Sequence, residues 1–515
     1  MDTSFLSLLP IIVTIALAIL TKNVIVSLFL GTLTGGFILF GCNPFTTIQS
    51  TFSTYLLPQF LSEYNSGILI LLAFIGGFVT LVEKSGGAEA FARSVSNFVN
   101  TRCKTQLAAW LGGMLIFFSD LGTPLIVGPV FSDIFKKMRV SKEKLAWIID
   151  STASPICCMI PFIGWGVAAM SCVQDSFDSL SITNMSDWTA ICRAIPFQIY
   201  PILCIVIVPL VALWGREIGP MAKCEQQALE GIFSKNDGQE MDSKYNMIIN
   251  NNASPLIVVI PLVVLFSVFF GLLIPQGFPF EEMTGNQIRF ALMTGYFLAA
   301  VVLILLMAHY KVASIKDSTK IYIDGLSSLF DCMALLILAW ALNAIGTELG
   351  TANYIVQITN GNIPVWAIPA LIFIAGSIVS FATGTSWGTF AIVIPIAIQM
   401  AFVIGSPIEL AIGATIAGGL FGDHCSPVSD TTILASIGSG CKLLSHTYTQ
   451  LPYALLCAVV SLIGFIIAGF TGSVISSAIS IVILIAAYPV CAHFFGTKIP
   501  NLSAADVARM DQNNQ

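Results

Sequence analysis

Two stretches of this chain set carboxylates beside helix-breaking residues in apolar surroundings. One, Gly418 to Thr432, reads Gly-Gly-Leu-Phe-Gly-Asp-His-Cys-Ser-Pro-Val-Ser-Asp-Thr-Thr; the other, Asp150 to Pro155, reads Asp-Ser-Thr-Ala-Ser-Pro. Pro427 removes a backbone donor, and Gly418, Gly419 and Gly422 tolerate unwinding. The spacing therefore predicts a break that leaves freed carbonyls and half-helix ends beside Asp423 and Asp430. At membrane depth, irregular backbone persists only where protein buries it or where it lines a cavity. Oxygen ligands gathered there suit a hard cation such as Na⁺, and a buried carboxylate can carry a proton instead. A polar loop on the cytoplasmic side is the alternative reading of the same residues.

The surroundings favour the membrane. Of 515 residues, 56% are hydrophobic and only 10% charged, against about a quarter charged in soluble domains. The first apolar run, Phe5 to Leu20, has no basic flank before it and no small-residue cleavage site after it, so it reads as a retained span. The net charge of -6 is spread through loops and identifies no partner. Most of the 13 cysteines lie inside apolar runs, where a thiol behaves as a small hydrophobe; Cys172 and Cys192 bracket one outer loop and either pair or stay free. No phosphate-binding G-x-x-x-x-G-K-[ST] run, no H-E-x-x-H and no zinc-type cysteine spacing occurs, which argues against an ATP-driven pump and against an enzyme. Nothing points to nucleic acid.

Apolar runs near residues 5–21, 23–41, 67–83, 145–171, 193–214, 254–275, 289–308, 328–347, 408–437, 451–471 and 474–495 predict an all-α polytopic membrane protein with about 11 transmembrane helices. Two further regions, 105–135 and 364–405, are interrupted by the polar centres Ser119-Asp120-Leu121-Gly122-Thr123-Pro124 and Thr383-Gly384-Thr385-Ser386. They read as re-entrant hairpins, although the second is long enough for two full spans. With the N-terminus outside and the C-terminus cytoplasmic, every Lys and Arg except Arg193 and Arg289 falls in a cytoplasmic segment. The halves then correspond: 1–215 is a first repeat, 216–253 a cytoplasmic linker, 254–471 a second repeat, and 472–515 an extra span with an exposed cytoplasmic tail. Each repeat holds five spans, an odd number, so the second enters the membrane inverted, and such repeats meet where transporters bind substrate and coupling ion.

The candidate ion- or substrate-binding residues are Asp423, Asp430, Ser426, Thr431 and His424 in the second half with Thr385 and Ser386 at its hairpin. Asp120, Thr123, Asp150, Ser151, Thr152 and Ser154 are their counterparts in the first half. Ionisable side chains within spans default to function. Asp423, Asp430 and Asp120 are the candidate Na⁺ ligands. Asp331 is a further acid in an apolar run; His424 either relays protons or is structural; Trp165 and Trp387 either line the site or pack. No Lys or Arg lies between Lys320 and Lys442, which favours a cation as the transported species without excluding a carboxylate held by helix N-termini.

The 418–432 run, together with Ala382 to Phe390 (Ala-Thr-Gly-Thr-Ser-Trp-Gly-Thr-Phe), Leu338 to Leu342, Glu348 to Ala352 and Ile149 to Pro155, resembles the NhaC-type sodium/proton antiporter family from about residue 65 to 470. The resemblance implies a bacterial inner-membrane secondary transporter with inverted repeats and two re-entrant hairpins, working as a Na⁺/H⁺ antiporter by alternating access. It implies no cofactor, only Na⁺ and H⁺ as transported or coupling ions, with membrane lipid and a possible homodimer as partners. The same family includes malate/lactate and amino-acid exchangers, so a Na⁺- or H⁺-coupled transporter of a small carboxylate or amino acid is the alternative, with an ion channel behind it. Cys157 to Trp165 departs from the family pattern by being less polar after the Ser-Pro pair.

Overall fold

The computed structural model describes residues 4–90, 99–233, 253–351, 353, 354, 357 and 363–513; most of the expected linker (234–252) and Ala352 lie outside them. In chain order, α1 (Leu9–Thr21), α2 (Val24–Leu39), α3 (Pro44–Ser50), α4 (Leu57–Leu61) and α5 (Glu63–Lys84) are followed by α6 (Arg102–Leu115), α7 (Gly122–Lys137), α8 (Lys142–Asp150), α9 (Ser154–Cys157), α10 (Gly164–Leu180), α11 (Asp187–Ala194) and α12 (Ile199–Trp214). After β1 (Arg216–Ile218) and α13 (Pro220–Leu229) come α14 (Leu256–Leu273), α15 (Gly285–His309), α16 (Ile315–Gly325), α17 (Phe330–Glu348), α18 (Ile368–Thr383) and α19 (Ser386–Ile404). The chain then forms α20 (Ile408–Cys425), α21 (Asp430–Ser439), α22 (Leu443–Thr471), α23 (Ile475–Phe495), β2 (Gly496–Lys498) and α24 (Ala504–Asn513).

Among the described residues, 8 helices are long and apolar enough to cross a membrane, or up to 10 if two bent pairs each count as one span. The apolar runs alone suggest eleven. The difference lies in the runs that fragment. Residues 145–171 divide into α8, α9 and the start of α10, and 408–437 divides into α20 and most of α21. The first run supplies only the 13 residues of α1. Residues 44–61, which carry no expectation of structure, turn back against α2 at 118°. The two interrupted regions are helix pairs with non-helical tips. Gly384, at φ +69°, closes α18 in a left-handed conformation that favours glycine, and Thr385 caps α19 by accepting from Gly388 N.

The glycines of the 418–432 run do not unwind. All three lie within α20, where Gly418 and Gly422 set its backbone against α18: a β-carbon would stand 2.4 Å from Phe373 O at the first and 2.4 Å from Ser377 O at the second. The break falls later, at Ser426–Ser429, around Pro427, whose missing N–H removes a helical donor. A similar close crossing joins the halves, where a β-carbon on Gly128 of α7 would lie 2.5 Å from the Gly438 carbonyl at the end of α21. In reciprocal fashion α19 packs on α10.

The basic segments gather on one face. β1 pairs antiparallel with β2, Thr101 bridges Ser503, Arg102 pairs with Glu225, and Lys144 Nζ stands 2.8 Å from Glu217, which also accepts from Tyr453 at 2.5 Å. The expected exposed tail is therefore docked. Ser503 caps α24 by accepting from Asp506 N at 3.2 Å, while its own Oγ and N donate to the Asp506 carboxylate at 2.7 and 3.0 Å, which holds that carboxyl below its ordinary range; Val507 is 4% exposed. A second cluster, at the starts of α5, α11 and α15, unites Tyr64, Asp187 and Arg289; the Arg289 guanidinium lies 4.0 Å over the Tyr64 ring. Cys172 and Cys192 are both free thiols.

Candidate cation cavity and buried histidine cluster

The break between α20 and α21 opens into a cavity of about 330 Å³ bounded by the tips of both helix pairs. Asp120 and Leu121 reach it from the α6–α7 tip, Gly384, Thr385 and Ser386 from the α18–α19 tip, and Asp423, Ser429, Asp430 and Thr431 from the break itself. Asp423 is 4% exposed and accepts from Ser386 Oγ at 2.9 Å; Ser429 also bonds to it. Asp430 is the first residue of α21, where the positive end of the helix favours a carboxylate. Asp331 joins the lining from the first turn of α17. Trp165 and Trp387 form one wall, their ring centroids 4.9 Å apart. The cavity thus offers carboxylates and hydroxyls on one side and indole faces on the other; Lys22 contributes a cation to its lining.

The other predicted residues fall elsewhere. Asp150, 1% exposed, ends α8 and does not reach the cavity lining; its Oδ2 accepts from His446 Nε2 at 3.2 Å, Gln450 Nε2 at 3.0 Å and Thr432 Oγ1 at 3.3 Å. His424 Nε2 stands 3.8 Å from the same oxygen, and its Nδ1 bonds Tyr200 Oη at 2.8 Å. Ser151 and Ser154, in the turn after Asp150, are buried hydroxyls without a hydrogen-bond partner. Thr123 donates to Ile116 O and Ser119 O, Thr152 to Ile148 O, and Ser426 accepts from Val428 N, so these three serve the local backbone.

Helix length explains why Asp150 meets His424. Lys142 Nζ donates to Gly440 O at 2.9 Å, so the start of α8 and the end of α21 lie together on the basic face. α8 has 9 residues and α21 has 10, so both breaks sit about 14 Å in from that face at ~1.5 Å per residue. Successive residues on a helix point about 100° apart, so Asp423 and His424, in the last turn of α20, can face different sites.

Residues 156–470 match the Na⁺/H⁺ antiporter family. The chain belongs to that family. An uncharacterized protein of Haemophilus influenzae is 32% identical over 502 residues, 94% of this chain and 95% of the relative. The malate-2H⁺/Na⁺-lactate antiporter of Bacillus subtilis is 29% identical over 220 residues, 41% of this chain and 43% of its own. Among solved structures, the YdaH transporter of Alcanivorax borkumensis superposes with a TM-score of 0.55 at 13% identity, covering 83% of this chain and 89% of that one, a likeness of fold. The apolar helices and the family make this antiporter-family chain a multi-pass membrane protein.

Sequence reasoning missed five residues of these sites. His446 and Gln450 lie one turn apart on α22, a spacing that marks one face of an otherwise apolar helix and was there to be read. Tyr200 and Ser429 carried no signal beyond their type. Glu83, in the last turn of α5, accepts from Ser119 Oγ at 2.6 Å beneath the α6–α7 tip; a lone acid at the end of an apolar run carries no signal of that contact.

Proposed function

We infer that this chain is a secondary active transporter that exchanges Na⁺ for H⁺ by alternating access. The observation that carries the reading is Asp423: a nearly buried carboxylate at a helix break, held by Ser386 from a neighbouring tip and open to a cavity shared with Asp120 and Asp430. Na⁺ prefers several oxygen ligands. Among the described residues no three His, Cys, Asp or Glu side chains converge to hold a metal ion, so Na⁺ here draws on hydroxyls and carbonyls of the two tips as well as on carboxylates. Asp423 and Asp430 are the leading ligands or proton carriers, with Asp120, Thr385, Ser386 and Thr431 around them. A carboxylate that holds either Na⁺ or H⁺, never both, produces exchange.

The reading includes two inverted repeats, 1–215 and 254–471, with 105–135 and 364–405 as the hairpins that move. The reciprocal packing of α7 on α21 and α19 on α10 supports it. The clustered basic face supports a cytoplasmic linker and C-terminus and an N-terminus outside, in a bacterial inner membrane.

Reconstituted into proteoliposomes, the intact chain is expected to collapse an imposed ΔpH on addition of Na⁺, and Asp423→Asn or Asp430→Asn to abolish the response. A flat response to Na⁺, Li⁺ and K⁺ from folded protein would overturn the reading. One observation favours a second reading, a Na⁺- or H⁺-coupled exchanger of a small carboxylate or amino acid. A cavity of about 330 Å³ walled by two indoles is larger than a bare cation requires and falls in the range of small-molecule sites. Uptake of malate, lactate or an amino acid on the same Na⁺ gradient distinguishes the two.

A further inference from the structure

We propose that Asp150 and His446 form the proton-binding pair of this chain, with His424 lining it, separate from the cation cavity and joined to it through the end of α20. Three helices build it: Asp150 ends α8, His424 sits in the last turn of α20, and His446 lies in the first turn of α22. All three side chains are 3% exposed or less. A buried acid surrounded by two imidazoles is costly as a purely structural device unless every polar atom is satisfied. Here they are not. Asp150 Oδ1, His424 Nε2 and His446 Nδ1 are all buried without a hydrogen-bond partner.

The geometry fixes a protonation pattern. A carboxylate oxygen accepts, so the contact of 3.2 Å between His446 Nε2 and Asp150 Oδ2 requires the hydrogen on Nε2. A neutral His446 then presents Nδ1 as an open acceptor, and a proton taken there produces an imidazolium paired with Asp150. His424 Nε2 stands 3.8 Å from the same carboxylate and walls the pair on the α20 side. Gln450 holds the arrangement by donating to Asp150 Oδ2 and to His424 O.

The other titratable or charged groups around this cluster are few. Tyr200 and Cys204 face His424 from α12, at 2.8 and 3.9 Å from Nδ1. Asp423 adjoins it on α20, while Thr432 is the contact from α21 and carries no charge. Further along α8, Lys144 is already paired with Glu217, which also accepts from Tyr453 of α22; from α13 and α6, Glu225 is paired with Arg102. Glu143, also on α8, accepts from Ser445 Oγ of α22 at 2.9 Å, so Asp150 is the acid in direct contact with His446. Because Gln450 bonds both Asp150 Oδ2 and the His424 carbonyl, the pair is tied to the end of α20 that carries Asp423, which couples the two sites.

The flux arm of the test rests on the Na⁺/H⁺ reading; the spectroscopic arm does not. In proteoliposomes, Asp150→Asn and His446→Gln are expected to keep ²²Na⁺/Na⁺ exchange while Na⁺-driven proton movement falls about a hundredfold, the scale of losing a positioned proton carrier. Loss of ²²Na⁺/Na⁺ exchange together with coupling, or coupling that survives, would overturn the separate site. The chain has only 4 histidines, so imidazole NMR of histidine-labelled intact protein follows His446 directly, with His446→Gln giving the assignment. The expected result is a His446 imidazole that titrates in the intact chain and shifts in Asp150→Asn. A His446 that keeps one protonation state between about pH 5 and 8 would reject the site even if every flux assay is silent. A wild-type chain silent to Na⁺ would instead reject the Na⁺/H⁺ reading and leave the NMR result to decide the proton site.

Discussion

The first break follows a helix of 9 residues and ends at Asp150; the second follows a helix of 18 residues and has Asp423 two residues before its end. Both are followed within five residues by Ser-Pro, so the local chemistry is alike. The surroundings are not. Asp423 takes hydroxyls from Ser386 and Ser429 and opens to a cavity, whereas Asp150 takes an imidazole, an amide and a hydroxyl and is sealed. A helix-break motif supplies a carboxylate at membrane depth; the elements opposite it determine whether that carboxylate meets solvent-borne ions or protein. Here the near-equal lengths of α8 and α21 bring both breaks to one depth, and the cavity side and sealed side of the α20 terminus become neighbours.

The strongest test of the contrast is the same substitution at both breaks. Asp423→Asn is expected to remove both ²²Na⁺/Na⁺ exchange and Na⁺-driven proton movement, by about a hundredfold or more. Asp150→Asn leaves the first and removes the second. Equal loss of both activities in the two variants would erase the distinction between an open and a sealed site.

A smaller effect probes how the open site is held in place. Gly422→Val puts a branched side chain where a β-carbon already meets Ser377 O at 2.4 Å and Phe381 N at 2.5 Å. Both are backbone atoms, so α18 and α20 must separate, at a cost of about 1–3 kcal/mol for overpacking. The measurement is thermal unfolding in detergent, with Gly271→Val, where a β-carbon meets nothing within 4 Å, as the control. A Gly422 variant as stable as the control would mean the two helices are not locked at this crossing.

How much of this was legible without coordinates follows from these residues. Composition and apolar runs sufficed for a polytopic helical protein, because hydrocarbon thickness imposes helix length directly. The 418–432 run pointed to the cavity, since acids, hydroxyls and proline in an apolar run have few other uses. The roles of its glycines were read wrongly: glycine permits both unwinding and close packing, and only the neighbour at Phe373 and Ser377 distinguishes them. The Asp150–His446 contact spans 296 positions and has no local trace. Thr123 and Thr152 looked like ligands by type, but a hydroxyl inside or beside a helix is readily spent on the preceding carbonyls, as both are here.

A smaller effect still separates the partners of the two carboxylates. Ser386→Ala removes a donor at 2.9 Å from Asp423 while leaving Ser429 in place. A hydrogen bond to a charged group contributes about 1.5–3 kcal/mol, so the apparent Na⁺ affinity should weaken by about tenfold or more, with the ratio of Na⁺ to H⁺ moved unchanged. Tyr200→Phe, on the sealed side, is the mildest change. Its hydroxyl bonds His424 Nδ1 at 2.8 Å, and losing one neutral hydrogen bond is worth about 1 kcal/mol. That should leave apparent Na⁺ affinity within about twofold and move only the pH at which coupling is half-maximal, by less than about one unit. The pair of variants divides affinity from pH dependence: if Tyr200→Phe weakens Na⁺ binding as Ser386→Ala does, His424 belongs functionally to the cavity, and the two breaks form one site.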